Sequence, residues 1–337
     1  MVDTTSPITT QIKQQSVKYH NGAFDLVEEH VPTPGKGQVL IQVHYSTVNP
    51  YDRIMSSVNK DEGFVLGCDG CGVIVGVSED VEPSYIGKKC AFLGGGWSRY
   101  AVKDLEFTVI FNHDDFDLRQ GANTYVNPFT TTAMLDLAKK NHAGAVVQLA
   151  ASSQLAKQMH RLCEKEGIQT VNIVRKEDQV KDLQENYGAK YVLNQDSPTF
   201  YEDLEKVIAE VKPTILFECV GGDLAGEILK RMPAKSIMVV YGNLTKQKTT
   251  FEPQEFHWAD KQIVGLMMFR WVSSLSLEER RKWFDYVGED LYQGGKIFGS
   301  KIAKEVPLED WKNAIIDSEK VASDGKYLIN CQRINVE

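Results

Sequence analysis

The segment from residue 149 to residue 156 could hold the phosphates of a nucleotide. It joins an apolar run typical of a buried strand to a run with helical spacing, where a doubly wound sheet binds a dinucleotide. Glycine usually stands at three places in such a turn, and this chain has Ala150, Ser153 and Ala156 there. A helix N-terminus would still offer amides and a positive dipole to an anion. The turn alone allows two interpretations, a weakened nucleotide site or an ordinary strand-to-helix turn.

The next predicted strand, residues 170–174, is followed by two cations, Arg175 and Lys176. A site for NAD usually has Asp or Glu at this place, because an acid binds the ribose 2′-hydroxyl. Two cations in its place fit the 2′-phosphate of NADPH. The alternative is a pair of solvated surface charges.

Metal-ligating residues do not form a recognisable set. Cys68 and Cys71 make one CxxC pair with no second pair, whereas structural zinc needs four ligands. The seven histidines show no metal spacing. We therefore expect no metal, and we interpret the six scattered cysteines as reduced thiols of an intracellular protein.

Length and charge exclude several classes of protein. The chain has 337 residues, enough for two domains, and its formal net charge is −8. This acidic balance argues against nucleic acid as a general partner. No apolar run reaches the roughly 20 residues of a membrane span, and no secretory signal follows Met1. The first 15 residues contain no arginine, unlike a typical mitochondrial transit peptide.

The elements change character near residue 124. Before it, short strands at residues 39–43, 73–77, 87–93 and 97–102 favour a small barrel or sandwich, preceded by a polar extension over residues 11–18. After it, strands and helices alternate, which predicts a parallel sheet covered on both faces. Strands are predicted at 145–149, 170–174, 191–193, 214–217 and 237–240, and helices at 153–165, 177–186, 200–211 and 223–231.

The C-terminal part predicts mixed structure. Helices are expected at residues 277–292 and 308–318, with a last strand at 326–330. The run at residues 263–269, with Trp258 and Trp271 nearby, favours a sheet edge and dimer contact over the lining of a substrate cleft.

Several short stretches, taken in order, resemble the medium-chain dehydrogenase/reductase superfamily, and more narrowly its zinc-free quinone reductases and 2-enoyl-thioester reductases. They are VNPYD at 48–52, LGCDGCGV at 66–73, WSRY at 97–100, NPFTT at 127–131, QL at 154–155, NIVR at 172–175, YGA at 187–189, VGG at 220–222 and YGNL at 241–244. A zinc-dependent member would have Cys in place of Asn49 and Gly-His-Glu in place of residues 67–69.

The resemblance implies an α/β fold of two domains. A GroES-like β-rich domain would comprise residues 1–123 and 297–337, and a Rossmann domain with a doubly wound parallel sheet would comprise residues 124–296. It also implies NADPH in the cleft between the domains and a homodimer.

The same resemblance assigns the cofactor contacts by motif. Asn127 and Thr130 would lie near the nicotinamide, and Arg175 with Lys176 would meet the 2′-phosphate. The remaining contacts would be the phosphate turn (Ala150, Ser153, Gln154, Leu155, Ala156), a loop near the ribose (Val220, Gly221, Gly222), and the adenosine or pyrophosphate side (Tyr241, Gly242).

The residue that would donate the proton is the weakest match between this chain and the family. Hydride transfer to an activated C=C or a quinone places charge on an oxygen that needs a donor. Enoyl-thioester reductases have a tyrosine shortly after the Asn-Pro-x-Asp motif, but residues 57–61 here read SVNKD. Tyr51 or Lys60 could substitute, while Asn49 is expected to shape the cleft.

Two hypotheses therefore stand. The first is an NADPH-dependent oxidoreductase that reduces an enoyl thioester, enone or quinone without zinc. The second is a catalytically degenerate relative that serves as an accessory subunit of a larger assembly. A cytoplasmic location and the mitochondrial matrix side both remain open. The retained cofactor motifs favour the enzyme, whereas the glycine-free turn and the missing tyrosine favour the accessory subunit.

Overall fold

The computed structural model describes residues 12–320 and 323–333. The expectations for the N-terminal segment before residue 12 lie outside the described residues. The chain divides into two compact units, one formed by the residues up to Pro128 with those from Leu275 onward, the other by Phe129–Ser274.

The first unit is built on antiparallel strands. A hairpin of β1 (Lys13–His20) and β2 (Ala23–His30) precedes a seven-stranded sheet in the order β14-β15-β3-β4-β5-β7, with β6 paired to β3. These strands are β3 (Gln38–Thr47), β4 (Asp69–Val77), β5 (Lys89–Leu93), β6 (Tyr100–Asp104), β7 (Val109–Ile110), β14 (Ile302–Pro307) and β15 (Lys326–Asn330).

The expected polar extension over residues 11–18 was wrong. Most of it is strand β1, which pairs along its whole length with β2. Val17 is fully buried, and Gln14 and Ser16 are buried with it. The polar sequence forms a strand because its backbone groups pair with β2 and several of its side chains, polar ones included, are buried.

The helices of the first unit are α1 (Pro50–Val58), α2 (Leu118–Gly121), α10 (Leu277–Tyr292) and α11 (Trp311–Lys320), while α3 (Val126–Lys140) begins next to the unit boundary. Helix α10 contacts β7, and Arg280 Nη1 donates to the carbonyl of Glu106 at 3.2 Å. These contacts explain why the second segment of this unit begins at Leu275, whereas the sequence suggested residue 297.

The second unit contains a six-stranded parallel sheet in the order β10-β9-β8-β11-β12-β13. Its strands are β8 (Ala145–Gln148), β9 (Gln169–Val174), β10 (Tyr191–Asn194), β11 (Ile215–Glu218), β12 (Ile237–Val240) and β13 (Gln262–Gly265). Its helices are α4 (Gln154–Lys165), α5 (Glu177–Tyr187), α6 (Phe200–Val211), α7 (Asp223–Arg231), α8 (Gln254–His257) and α9 (Met268–Ser274).

This architecture confirms the predicted fold class, an α/β chain with a β-rich unit and a Rossmann-type parallel sheet. The strand expected at residues 263–269 is shorter, since β13 ends at Gly265 and helix α9 begins at Met268. All six cysteines are buried and none forms a disulfide. Among the described helices, none is both long and apolar enough to cross a membrane.

Candidate functional site

The turn between β8 and α4 adopts a conformation usual for glycine without containing one. Ala150 has φ +49°, in the left-handed region that a Cβ disfavours. The turn is closed by a hydrogen bond from Ser153 N–H to Ala150 O at 2.9 Å, and Ala151 N–H donates to Ile173 O at 3.1 Å. The backbone therefore forms a tight strand-to-helix turn, at the expense of local strain at Ala150.

Ser153 caps helix α4. Its hydroxyl accepts a hydrogen bond from Ala156 N–H at 3.2 Å, as an N-cap serine does. The capped amide is one of those that a phosphate would otherwise use. Buried Gln148 fixes the other side of the turn, because its Nε2 donates to Ala156 O at 3.1 Å.

Arg175 and Lys176 follow strand β9, and both side chains are exposed. Strands β8 and β9 are parallel neighbours, so the β8–α4 turn and these cations both lie at the carboxyl ends of the strands. The N–H of Arg175 donates to Gln179 Oε1 at 3.2 Å. Neither cation forms an ion pair with another described residue. Two charges at these strand ends are thus available to an anion.

The loop after β11 requires glycine. Gly221 and Gly222 have φ +81° and +86°, and a Cβ on Gly221 would lie 2.5 Å from Asn243 Oδ1. Buried Glu218 holds the loop, since its Oε1 accepts hydrogen bonds from the N–H groups of Val220, at 2.6 Å, and Gly221. Burial raises the pKa of Glu218, and the two amides oppose that shift.

Tyr241 and Gly242 follow the neighbouring strand β12 and lie against the same loop. The N–H of Tyr241 donates to Glu218 O at 2.9 Å, and a Cβ on Gly242 would lie 3.0 Å from the Cβ of Cys219. Burial and the adjacent Cys219 thiol raise the pKa of the Tyr241 phenol. The structure therefore brings the predicted residues after β11 and β12 together.

A buried polar network, formed by Thr47, Asn49, Asp52, Asp69 and Lys326, occupies the first unit. Asn49 Nδ2 donates to Asp69 Oδ2 at 2.9 Å and to Thr47 Oγ1 at 3.1 Å, and Asn49 Oδ1 accepts from Lys326 Nζ. Asp52 accepts from the N–H of Asn49 and of Cys68, each at 2.8 Å. Asn49 is 3% exposed, so its side chain binds other buried groups of this unit and is not open to solvent.

The pKa values of the ionisable side chains in this network are shifted. Burial raises the pKa of Asp52 to about 6, although hydrogen bonds from Asn49 and Cys68 oppose the shift. Burial also raises the pKa of Asp69 and lowers that of Lys326. Lys326 was not predicted as a site residue, although it is the lone cation of strand β15, at its first position.

Asp69 also reaches the start of helix α3. Its Oδ1 accepts hydrogen bonds from the N–H groups of Tyr125, at 3.1 Å, and Val126, at 2.8 Å. A carboxylate at a helix N-terminus is favourable. The next residue, Asn127, is 4% exposed, and its Nδ2 has no hydrogen-bond partner among the described residues. A bound acceptor would satisfy this donor. Thr130 lies one turn further along α3.

The two candidate proton donors differ in their surroundings. Tyr51, on helix α1, is 47% exposed, and burial, Cys68 and Asp52 together raise the pKa of its phenol. Lys60 is exposed, with its Nζ 5.9 Å from the centre of the Tyr19 ring. The structure thus places Tyr51 beside the buried network and leaves Lys60 on the surface near the β1–β2 hairpin. No cluster of three or more His, Cys, Asp or Glu suited to a metal occurs in the described ranges.

Residues 35–112 match the alcohol dehydrogenase GroES-like domain. The mitochondrial enoyl-[acyl-carrier-protein] reductase of Arabidopsis thaliana is 26% identical, over 92% of this chain and 86% of its own length. The human protein of the same description is 23% identical, over 86% of this chain and 80% of its own.

Solved structures agree on the architecture. A candidate NADPH:quinone reductase of Mesorhizobium loti is 29% identical, with a TM-score of 0.82 over 97% of this chain and all of its own. A mutant enoyl thioester reductase of Candida tropicalis, 18% identical, has a TM-score of 0.79 over 95% of this chain and all of its own, which supports the fold alone. Together with the sheet topology, these likenesses make the chain similar, in sequence and in fold, to the quinone reductases and enoyl-thioester reductases of the medium-chain dehydrogenase/reductase superfamily.

Proposed function

We propose that the protein is an NADPH-dependent reductase that transfers hydride to an activated acceptor, an enoyl thioester, enone or quinone, without zinc. The relatives are oxidoreductases by their descriptions, which supports the reaction class. Asn49 and Cys68, which stand where a zinc-dependent member would have metal ligands, instead make hydrogen bonds within the buried network.

The observation that carries the cofactor preference is the pair Arg175 and Lys176 at the end of β9. A 2′-phosphate needs cations, and no acid precedes them to bind a 2′-hydroxyl. The N-terminus of α4 would hold the pyrophosphate, and the loop containing Gly221 and Gly222 would lie along the ribose. NADPH, when bound, supplies the hydride.

The acceptor oxygen needs a hydrogen-bond donor as charge develops on it. Tyr51 is the strongest candidate, because a phenol is protonated at neutral pH and almost half of this side chain is accessible. Lys60 is the second candidate. Asn49 would act as a positioning residue, because its side chain and N–H connect Asp69 and Asp52 at the start of α1.

The test compares charge reversal at two positions. Arg175→Glu should weaken NADPH binding by about tenfold or more while changing NADH binding by less than about twofold, because only NADPH carries the 2′-phosphate. Lys181→Glu, on the exposed face of α5, is the matched control and should leave both affinities unchanged. Cofactor fluorescence titration measures all four values. Equal losses for the two cofactors would remove the 2′-phosphate assignment.

A second candidate function is that of an accessory subunit that has lost its cofactor. Ala150 favours it, because its methyl group takes up space at the phosphate turn. The Ser153 cap favours it as well, because the hydroxyl binds an amide that a phosphate would otherwise use. Absence of saturable binding of either cofactor would support this alternative. The descriptions of the relatives make a mitochondrial location one option, beside the cytoplasm.

A further inference from the structure

The first unit contains a cavity of about 470 Å³ that includes none of the residues assigned to the proposed reductase site. It lies among strands β1, β2 and β6 and the loop that carries Gly94 and Gly95. A volume of this size is in the range of small-molecule sites. Its chemistry is set by three charged side chains, Lys18, Glu29 and Lys103.

Two of these charges compensate each other. Lys18 Nζ forms an ion pair with Glu29, whose other oxygen accepts from Ser16 Oγ at 2.7 Å. Lys103, in contrast, has neither a hydrogen bond nor an ion pair with any residue of the described chain. The cavity therefore holds one uncompensated cation, in a protein whose net charge is −8.

The position of Lys103 explains why it has no protein partner. It lies on β6 two residues after buried Ala101, so the two side chains share a face of the strand. Its Nζ is 5.4 Å from the centre of the fully buried Phe92 ring, and a Cβ on Gly95 would lie 3.4 Å from that nitrogen. The ammonium thus lies over an aromatic face beside a glycine loop, where no carboxylate of residues 12–320 or 323–333 pairs with it.

Burial lowers the pKa of Lys103 to about 8, with Asp104 opposing the shift. Asp104 itself accepts from Gln38 Nε2 at 3.0 Å. The other titratable groups around the cavity are the Lys18–Glu29 pair, half-buried Tyr100 and exposed His30. At neutral pH most Lys103 side chains remain charged, and a bound anion would raise the pKa again.

We propose that this cavity binds a small organic carboxylate, with its head on Lys103 and its hydrocarbon chain against Phe64 and Val65. A half-buried ammonium without an ion-pair partner among the described residues attracts an anion, because the pairing offsets its desolvation. The apolar walls favour a short chain behind the carboxylate over a bare inorganic anion. This site is independent of the proposed reductase reaction.

Isothermal titration calorimetry of the full protein with hexanoate tests the proposal. Hexanoate should bind with a Kd of about 10 mM or tighter, and 1-hexanol and acetate should bind at least about tenfold more weakly. Lys103→Met keeps the stem over Phe92 but removes the charge, so it should weaken hexanoate binding by about tenfold or more. Lys103→Arg should retain binding, and Lys36→Met, at an exposed lysine of the same unit, should match the parent.

The pH dependence gives a second readout. Hexanoate affinity should fall as the pH rises from 7 to 9, because the ammonium is lost through its pKa of about 8. Equal binding by the parent and a folded Lys103→Met variant would overturn the proposal, as would no binding of hexanoate or equal binding of hexanol. Acetate that binds as tightly as hexanoate would overturn the role of the apolar walls. Cofactor titrations of the same variants report separately on the reductase proposal.

Discussion

At the scale of single residues, Asn49 lies at the centre of the buried polar network of the first unit. Asn49 connects Asp69 to Lys326 through its amide, so one cation and one carboxylate share a neutral bridge. Asp52 is the exception, because it accepts only from neutral donors and its pKa is raised to about 6. Neutral hydrogen bonds offset part of the cost of burying its charge.

The raised pKa of Asp52 predicts a pH dependence of stability. The folded state binds the proton more tightly than the unfolded chain, so this contribution is present below about pH 4 and is lost as the pH rises through about 6. Relative to Asp52→Asn, the parent should lose about 1–3 kcal/mol of unfolding free energy between pH 4 and 6.5. Urea unfolding at several pH values measures this difference.

The matched control is Asp114→Asn, because the side chain of Asp114 is 91% exposed. Its stability curve should run parallel to that of the parent across this range. Parallel curves for Asp52→Asn and the parent would instead contradict the assignment of a raised pKa to Asp52.

At the scale of elements, the sequence predicted the parallel unit well and the β-rich unit less well. Helices α6, α7 and α10 begin and end as predicted, because their apolar spacing and flanking breakers are local signals. Strand β1 was missed since its burial depends on pairing with β2. Register and pairing are properties of two segments, which a single segment does not reveal.

The candidate site likewise contains some residues that the sequence predicted and others that it did not. Arg175 and Lys176 were predicted from their position after a strand, and Gly221 and Gly222 from the family resemblance. Their roles in cofactor binding stay predictions, although the positive φ of both glycines shows that the loop depends on them. The sequence did not predict that Lys326 and Asp69 belong to one network. They are 257 positions apart in the sequence, and both bind the side chain of Asn49. The left-handed Ala150 also had no sequence signal, since alanine rarely adopts that conformation.

At the scale of the whole molecule, strand β13 ends the parallel sheet within the described chain. Ile263 on this strand and Met267 just after it are 40% and 51% exposed. An edge strand with exposed apolar side chains is a template for pairing with another chain. We propose that a second copy of this chain pairs there, giving the homodimer.

Sedimentation equilibrium tests this dimer at about 50 μM protein, a concentration at which a stable dimer is populated. Ile263→Lys should shift the protein to the monomer, because it places a charge at the paired edge. Ile316→Lys, at a residue of α11 that is 60% exposed, is the matched control and should leave the dimer intact. A monomeric parent, or an Ile263→Lys variant that remains dimeric, would contradict the proposal.

The most direct test of the central claim is a fluorescence titration of the unmodified protein with NADPH and with NADH. The β8–α4 turn is tight, with Ala150 in the left-handed region, and cations follow the neighbouring strand, so NADPH should bind saturably and more tightly than NADH. No saturable binding of either cofactor up to about 1 mM, a ΔG° of binding weaker than about −4 kcal/mol, would contradict the reductase account.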